Sequence, residues 1–261
     1  MFTHDLDPNF FDFGFFAIRW YSLAYIFGIL FGWWYGKKII IKKSKTDKNR
    51  IELNIFDDFI TYIIISIIVG GRLGYVFFYN LEYFIKYPLD IIKIWQGGMS
   101  FHGALIGIVL GAYLFSIKKK IHFLFLLDII ACVSPVGIFF GRVANFINGE
   151  LVGKVTNVYW GVIFPNVDLM PRHPSQLYEA ILEGLLLFFV MNKIMFNKNY
   201  ITGRCAYSFL IIYGFLRMFV ELFREPDEQI GYLFDIISMG SFLSIIMIII
   251  GGIMILRRNE N

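Results

Sequence analysis

The stretch IISMGSFLSIIMIIIGGIMIL, residues 236–256, holds no charged residue and decides the fold class. Two other uncharged runs, 20–36 and 99–117, are almost as long. A helix needs about 17–25 mostly apolar residues to cross the hydrocarbon core of a bilayer. The whole chain is 57% hydrophobic with a mean hydropathy of +0.64, whereas soluble domains are roughly 45–50% apolar. We therefore predict an all-α, polytopic membrane protein.

Apolar length along the chain predicts seven transmembrane helices, so the two ends are expected on opposite sides of the membrane. The expected spans are about 15–36, 59–79, 99–117, 121–141, 177–196, 203–220 and 233–256. The chain contains no internal repeat, and we expect a single integral membrane domain, 1–261. Its most informative connection is the segment 142–176, between the fourth and fifth spans.

The basic residues predict the orientation of these spans. Fifteen fall on one side of the membrane: Lys37, Lys38, Lys42, Lys43, Lys45, Lys48, Arg50, Lys118, Lys119, Lys120, Lys193, Lys198, Arg204, Arg257 and Arg258. Six fall on the other: Lys86, Lys93, Arg142, Lys154, Arg172 and Arg224. The positive-inside rule then predicts an external N-terminus, a cytoplasmic C-terminus and an external 142–176 segment. The net charge of +4 follows from this topology, so no nucleic acid partner is expected.

The N-terminus is expected to be retained. Its first fourteen residues hold three aspartates and no Lys or Arg, whereas a cleaved signal peptide begins with a basic region.

Polar residues inside the predicted spans are expected to share one hydrated chamber. A charge at mid-membrane costs at least about 2.5–3.5 kcal/mol, so such groups normally face a protein interior or water. With Asp128 as the exception, they fall toward the external side: Arg19, Arg72, His102, Arg142, Glu179, Glu183, Tyr213, Arg217 and Glu221. The last three are spaced four residues apart and share one helix face. This bias predicts a site that opens toward the outer leaflet.

The motif GRVANFINGELVG, residues 141–153, combines an arginine, two asparagines and glycines at a predicted membrane surface. The planar guanidinium of arginine can bind phosphate oxygens bidentately, so a phosphate site is one interpretation. A capped helix end followed by a glycine-bearing loop is an equally good one. The glycines at four-residue spacing in the second, third and fourth spans are interpreted as helix packing positions.

Other classes of protein are disfavoured by what the sequence lacks. It has no HExxH, P-loop or GxSxG pattern and no spacing of histidines and cysteines typical of a metal site. Its two cysteines, Cys132 and Cys205, lie in apolar runs and imply no disulfide. A transporter or lipid channel would also have several spans and a polar chamber, but inverted repeats are absent. A membrane scaffold would not require so many charges inside the spans.

Five ordered motifs resemble those of the prolipoprotein diacylglyceryl transferases. They are IRWYSLAY (18–25), GGMSFHGALIG (97–107), GRVANFINGELVG (141–153), RHPSQLYE (172–179) and YGFLRMFVELFREPD (213–227). The resemblance covers essentially the whole chain. It implies a multi-pass enzyme of the bacterial plasma (inner) membrane that works at the outer leaflet. The partners it implies are phosphatidylglycerol and prolipoproteins whose signal peptides carry a lipobox cysteine.

The resemblance also implies the reaction, which is the first step of lipoprotein maturation. The sn-1,2-diacylglyceryl group passes from phosphatidylglycerol to the thiol of the lipobox cysteine, a thioether forms, and glycerol phosphate leaves. No metal or other cofactor is implied. Because the substrate supplies the sulfur, the enzyme needs no cysteine of its own.

The site residues follow from the resemblance and from the chemistry of this reaction. The expected catalytic residues are His102, Arg142, Arg217, Tyr21 and Glu221. The expected substrate-binding residues are Arg142, Asn145, Glu150, Gly153, Tyr213 and Arg72. The arginines are expected to bind the lipid phosphate and to stabilise the leaving group. His102 is the first candidate to accept the thiol proton, with Glu221 or Glu150 as the alternative, although a histidine at such a place is more often a hydrogen-bonded interface residue.

Overall fold

The computed structural model describes residues 2–14, 17–44, 51–225, 232–233 and 237–259. Within these ranges, backbone alone is described at Ser44, Gln96, Phe101, His102, Tyr232, Leu233, Ile237, Arg258 and Asn259. The helices are α1 (Trp20–Ser44), α2 (Leu53–Tyr79), α3 (Leu81–Lys86), α4 (Phe101–Lys119), α5 (Phe123–Ile147), α6 (Ser175–Glu179), α7 (Leu187–Met195), α8 (Arg204–Glu221) and α9 (Met239–Asn259). A π-helical stretch, Ala180–Leu186, joins α6 to α7 without a break.

Helices occupy most of each of the seven expected spans; residues 15–16 of the first span and 234–236 of the seventh lie outside the described residues. Within the part of the chain that the structure describes, three helices are long and apolar enough to cross a membrane by length and composition: Leu53–Tyr79, Phe123–Ile147 and Met239–Arg257. These helices support the predicted membrane class. The count of seven crossings and the orientation of the termini stay predictions.

The prediction of an all-α fold overlooked several short strands. They are β1 (Phe2–Thr3), β2 (Asn9–Asp12), β3 (Ala17–Arg19), β4 (Val162–Ile163), β5 (Pro171–Arg172), β6 (Tyr232–Leu233) and β7 (Ile237–Ser238). One sheet has the order β1-β4-β5, and β2 pairs with β3 and β6 with β7 in antiparallel fashion. Strands of two to four residues are too short to show the alternating pattern by which a strand is recognised in sequence.

The chain divides into two compact units. We call residues 1–36 and 128–261 the large unit and residues 37–127 the small unit. In the small unit α2 packs on α4 through glycines: a Cβ built on Gly74 would lie 2.6 Å from the Cα of Gly103, and one on Gly70 would lie 2.8 Å from the Cα of Gly107. These distances leave no room for a methyl group, so the predicted packing role is confirmed for these four glycines of the second and third spans, whereas a Cβ on Gly141 of the fourth span would meet no atom within 4 Å.

Asp128 is the one acidic residue of the predicted spans that was not expected on the external side, and it has a structural role in the large unit. Its carboxylate is fully buried. It accepts hydrogen bonds from the Tyr200 hydroxyl at 2.6 Å and from the backbone N–H groups of Gly203 and Ala206 at 2.5 and 2.7 Å. An anion at this position satisfies free N–H groups and complements the dipole at the N-terminus of α8.

Candidate active site

One buried glutamate holds three arginines together in the large unit. Glu179 is 1% exposed and ends α6. Its Oε2 lies 2.5 Å from Nε of Arg142, which α5 supplies. Its Oε1 accepts hydrogen bonds from Nη1 of Arg217 in α8 at 2.7 Å and from Nη1 of Arg224 at 3.2 Å. Arg142 and Arg217 therefore contact the same carboxylate and lie close together, as they must if both are to bind one phosphate.

Arg217 is also held by a second carboxylate. Its Nη2 donates to Oε1 of Glu221, one turn later on the same helix. The other oxygen of Glu221 accepts a hydrogen bond from Oγ of Ser238 at 3.0 Å. The predicted spacing of four residues thus places Arg217 and Glu221 in contact. Tyr213, one turn earlier, stacks on Phe209 with ring centroids 5.5 Å apart.

Glu183 is buried in the same cluster with much weaker contacts. It is fully buried, and Oε1 lies 3.7 Å from Nη1 of Arg217. Within the described part of the chain, neither of its carboxylate oxygens accepts a hydrogen bond. Glu179 and Glu183 flank the start of the π-helical stretch, a feature that is frequent at functional sites.

A chain of side-chain hydrogen bonds joins Arg142 to three other predicted site residues. Nη1 of Arg142 donates to Oδ1 of Asn145 at 3.4 Å. Nδ2 of Asn145 donates to Oε1 of Glu150 at 2.8 Å and to the hydroxyl of Tyr21 at 3.4 Å. Asn145 is 3% exposed. The structure therefore brings Tyr21, Arg142, Asn145 and Glu150 together, and this network fixes the orientation of the guanidinium.

Gly153 lies where three backbone segments cross. Its N–H donates to the carbonyl of His173 at 3.0 Å, its carbonyl accepts from Nη1 of Arg172 at 2.9 Å, and it pairs with Arg224 in an isolated antiparallel bridge. A Cβ at this position would lie 2.7 Å from the carbonyl oxygen of Phe223. The close approach requires glycine, and it holds the backbone of Arg224, whose Nη1 reaches Oε1 of Glu179.

Replacing Gly153 by alanine is expected to lower activity strongly and to destabilise the large unit by about 1–3 kcal/mol, the usual cost of overpacking. The added methyl group must push the 223–224 backbone away and withdraw Arg224 from Glu179. Activity per folded protein and thermal unfolding in detergent measure the two effects. Gly252→Ala is the control, because a Cβ there meets no atom within 4 Å; equal behaviour of the two variants would contradict the packing argument.

The segment between α5 and α6 contains a further ion pair outside the expected spans. Nη2 of Arg172 donates to Oδ2 of Asp168 at 2.6 Å. This hydrogen bond lowers the pKa of the Asp168 carboxyl. Burial lowers the pKa of the neighbouring His173 imidazole, whose Nδ1 lies 3.1 Å from the hydroxyl of Tyr178. These contacts stabilise the turn that leads into Glu179.

Two predicted site residues, Arg72 and His102, belong to the small unit. The guanidinium of Arg72 donates to five backbone carbonyls of its own unit, those of Asp90, Ile91, Lys93, Gly97 and Gly98. Its predicted contact with phosphate would have to compete with these bonds. His102 is the second residue of α4, and its side chain lies outside the described part of the structure.

Sequence reasoning assigned no role to two residues at the centre of the cluster. The sequence indicates Glu179 only as a like charge to Glu183 that requires protonation of one of the two or nearby cations, with Arg142, Arg72 and Arg217 available, and Arg224 only as a basic residue of the external side. Both occur in motifs that carry the resemblance, RHPSQLYE and YGFLRMFVELFREPD, so the motifs contained the signal that could have found them. Among the described residues, no group of three or more His, Cys, Asp or Glu side chains is arranged to hold a metal ion.

Comparison with known proteins gives matches over nearly the whole chain. Residues 8–257 match the family described as prolipoprotein diacylglyceryl transferase. A protein of Rickettsia canadensis (strain McKiel), named phosphatidylglycerol–prolipoprotein diacylglyceryl transferase, is 52% identical over 96% of both chains. Proteins with the same name are 52% identical over the full length of both chains in Rickettsia typhi (strain ATCC VR-144 / Wilmington) and 50% identical over 98% of both in Rickettsia felis (strain ATCC VR-1525 / URRWXCal2).

Proposed function

Because the chain belongs to the prolipoprotein diacylglyceryl transferase family, we propose that it transfers the diacylglyceryl group of phosphatidylglycerol to the lipobox cysteine of prolipoproteins. This reaction is the first step of lipoprotein maturation. The observation that carries the proposal is the convergence of Arg142, Arg217 and Arg224 on Glu179. These three arginines belong to the family motifs, and they provide the cations that a lipid phosphate needs; Arg217 and Arg224 are buried, and Arg142 is partly buried.

We place the enzyme in the bacterial inner membrane, with seven crossings and an external N-terminus. The apolar helices and the distribution of basic residues support this topology. In this orientation the ends of α5 and α8 that carry Arg142 and Arg217 face the outer leaflet. That is the side on which a secreted precursor presents its cysteine.

The proposed reaction is a displacement at the phosphate-bearing carbon of the diacylglyceryl group. The cysteine sulfur forms a bond to this carbon, and the bond from the carbon to the phosphate oxygen breaks. Its electron pair stays on the departing glycerol phosphate, while the thiol proton passes to the enzyme. His102 is the proposed acceptor, with Glu221 or Glu150 as the alternative; the product is a thioether.

Arg142 and Arg217 are positioned to stabilise the charge that grows on the departing phosphate. Arg142 uses Nε for Glu179 and Nη1 for Asn145, and Arg217 uses Nη1 for Glu179 and Nη2 for Glu221. A guanidinium has five N–H groups, so each arginine keeps donors for phosphate. Fixed donors of this kind contribute most in a poorly hydrated site.

The surroundings of the two cysteines support a nucleophile that comes from the substrate. Cys132 and Cys205 are fully buried. Each Sγ lies against the carbonyl oxygen of Met191, at 3.7 and 3.8 Å. Both residues behave as small packing groups of the large unit.

The direct test is a change in mass. Purified protein, phosphatidylglycerol and a synthetic lipobox peptide should yield a peptide heavier by one diacylglyceryl group. A peptide with serine in place of the cysteine should stay unmodified. If no product forms and the protein instead moves a solute across vesicles, the transporter interpretation replaces this one.

His102→Gln is expected to reduce turnover at neutral pH by about 10² or more, a typical contribution of a general base, while phosphatidylglycerol still binds. Turnover by mass spectrometry and lipid retention by the purified variant measure the two properties. His122→Gln is the matched control, because His122 is an exposed histidine just before α5. An active His102→Gln would transfer the proton-accepting role to Glu221 or Glu150.

A further inference from the structure

Every N–H group of the Arg72 guanidinium is hydrogen-bonded to the backbone of one segment. Nε donates to the carbonyl of Ile91 at 2.9 Å, and Nη1 donates to those of Gly97 and Gly98 at 2.5 and 3.0 Å. Nη2 donates to the carbonyls of Asp90 and Lys93 at 2.6 and 3.3 Å. Arginine has five such donors in a rigid plane, so its hydrogen-bonding capacity is fully used.

The burial of Arg72 supports a role inside the protein. The residue is 5% exposed, and its guanidinium carbon lies 5.1 Å from the ring centre of Phe84. Its partners are neutral carbonyls, because the nearby Asp90 carboxylate pairs with Lys93 Nζ at 2.6 Å and accepts from the Tyr83 hydroxyl at 2.5 Å. A buried cation whose hydrogen bonds all go to backbone carbonyls organises the backbone that supplies them.

The segment that Arg72 holds leads directly into the helix of His102. Gly97 and Gly98 have φ angles of +85° and +79°, a region that residues other than glycine rarely adopt. Ser100 follows as the N-cap of α4: its Oγ accepts from the N–H of Gly103 at 3.1 Å, and its own N–H donates to the carbonyl of Gly71 at 2.8 Å. Arg72 and its neighbour Gly71 therefore fix the chain on both sides of Met99.

We propose that Arg72 is a positioning residue that acts through His102, rather than a phosphate ligand. The five carbonyl contacts set the course of residues 90–98, and this course sets where the first turn of α4 begins. The backbone of His102 lies in that turn. The inference rests on the proposed function, because it concerns the step in which His102 accepts the thiol proton. Arg72 is the residue that places His102 for this step.

Arg72→Lys tests this assignment, because one ammonium group keeps the charge and cannot span five carbonyls. We expect kcat to fall roughly 10- to 100-fold, as misplaced catalytic groups do, while KM for phosphatidylglycerol changes less than about twofold. In a His102→Gln background the same change should cause no further loss, because residues that act as a unit are not additive. Asp90→Asn is the control: it alters the side chain of the segment and keeps its carbonyl.

Each other outcome overturns the proposal. A higher KM with unchanged kcat makes Arg72 a phosphate ligand, and unchanged activity per folded protein makes it a purely structural residue. Further loss of activity in the His102→Gln background separates the two residues. If the wild-type protein forms no thioether product, the proposed function fails instead, so the two failures are distinguishable.

A second variant covers the case in which Arg72→Lys does not fold. Gly97→Ala adds a methyl group that meets no atom within 4 Å, but it strains a backbone with φ +85° and ψ −164°. The carbonyl that accepts from Arg72 should rotate while the packing survives. The same fall in kcat with an unchanged KM supports the proposal, and wild-type kinetics contradict it.

Discussion

Replacing Glu179 by alanine is expected to reduce turnover by more than about 10³ and to lower the free energy of unfolding by about 3–5 kcal/mol. Removing one partner of a buried ion pair leaves an uncompensated charge, which is the costly half of the interaction. Here three guanidinium groups lose their shared carboxylate at once. Arg142 and Arg217 should then separate and no longer meet one phosphate.

Glu183 cannot take the place of Glu179 in this variant. Among the described residues, Glu183 forms an ion pair with Arg217 only, whose Nη1 lies 3.7 Å from its Oε1. Nε of Arg142 would still lose the carboxylate oxygen that lies 2.5 Å away. The expected loss therefore depends on the position of Glu179 and not on the number of acidic residues in the cluster.

Turnover of the lipobox peptide and denaturant unfolding in detergent micelles measure the effects of Glu179→Ala. The matched control is Glu225→Ala, which also removes a glutamate paired with an arginine of the large unit. Its carboxylate is 49% exposed and lies 3.2 Å from Arg172; such exposed pairs contribute at most about 1 kcal/mol. If both variants lose the same stability, Glu179 is not the centre of the cluster.

The sequence predicted helices well because hydropathy reports a property of one segment at a time. The spans expected at 59–79, 121–141 and 233–256 contain or overlap the three helices with the clearest membrane character. Pairing between distant residues leaves no such trace. Neither the parallel pairing of Phe2 with Val162 nor the bridge between Gly153 and Arg224 could be predicted from local pattern.

The sequence predicted which residues belong to the candidate site better than it predicted how they contact one another. The motifs indicated Arg142, Asn145, Arg217 and Glu221, and the structure joins them by hydrogen bonds and ion pairs. Glu179 and Glu183 lie four residues apart and repel each other in one helix unless one is protonated or cations lie nearby, so the sequence indicated that Glu179 could need arginines but not which arginines contact it. Their cations come from helices far away in sequence, and only the folded chain shows that one glutamate collects them.

Arg72 illustrates a different limit of sequence reasoning. A charge within an apolar span indicates a costly buried group with a function, and phosphate binding was the natural hypothesis. The five carbonyls that accept hydrogen bonds from this guanidinium belong to residues 90–98. This segment has no acidic motif that would mark it as the partner of an arginine. Backbone acceptors are present at every residue, so the sequence cannot indicate which of them a guanidinium will meet.

Substitution of Arg142 should give the second large loss of activity. Its kinetics distinguish an arginine that holds the bound lipid from one that stabilises the departing phosphate. A contact made equally with bound lipid and with the departing phosphate lowers KM alone, whereas a contact that strengthens as the phosphate leaves raises kcat. Nε of Arg142 lies 2.5 Å from Glu179 and Nη1 lies 3.4 Å from Asn145. These contacts fix the guanidinium in place before the reaction, so that it can stabilise the negative charge that develops on the departing phosphate.

We therefore expect Arg142→Lys to lower kcat by about 10²–10³, the usual loss for one preorganised donor, with a smaller change in KM. A lysine nitrogen cannot bind Glu179, Asn145 and phosphate together in the arrangement of a planar fork. Arg204→Lys is the matched control, because Arg204 is an exposed arginine of the same unit that donates to the Asn199 carbonyl at 3.3 Å. Steady-state turnover at varied phosphatidylglycerol concentrations decides the matter: an increase in KM at constant kcat would limit Arg142 to holding the lipid before reaction.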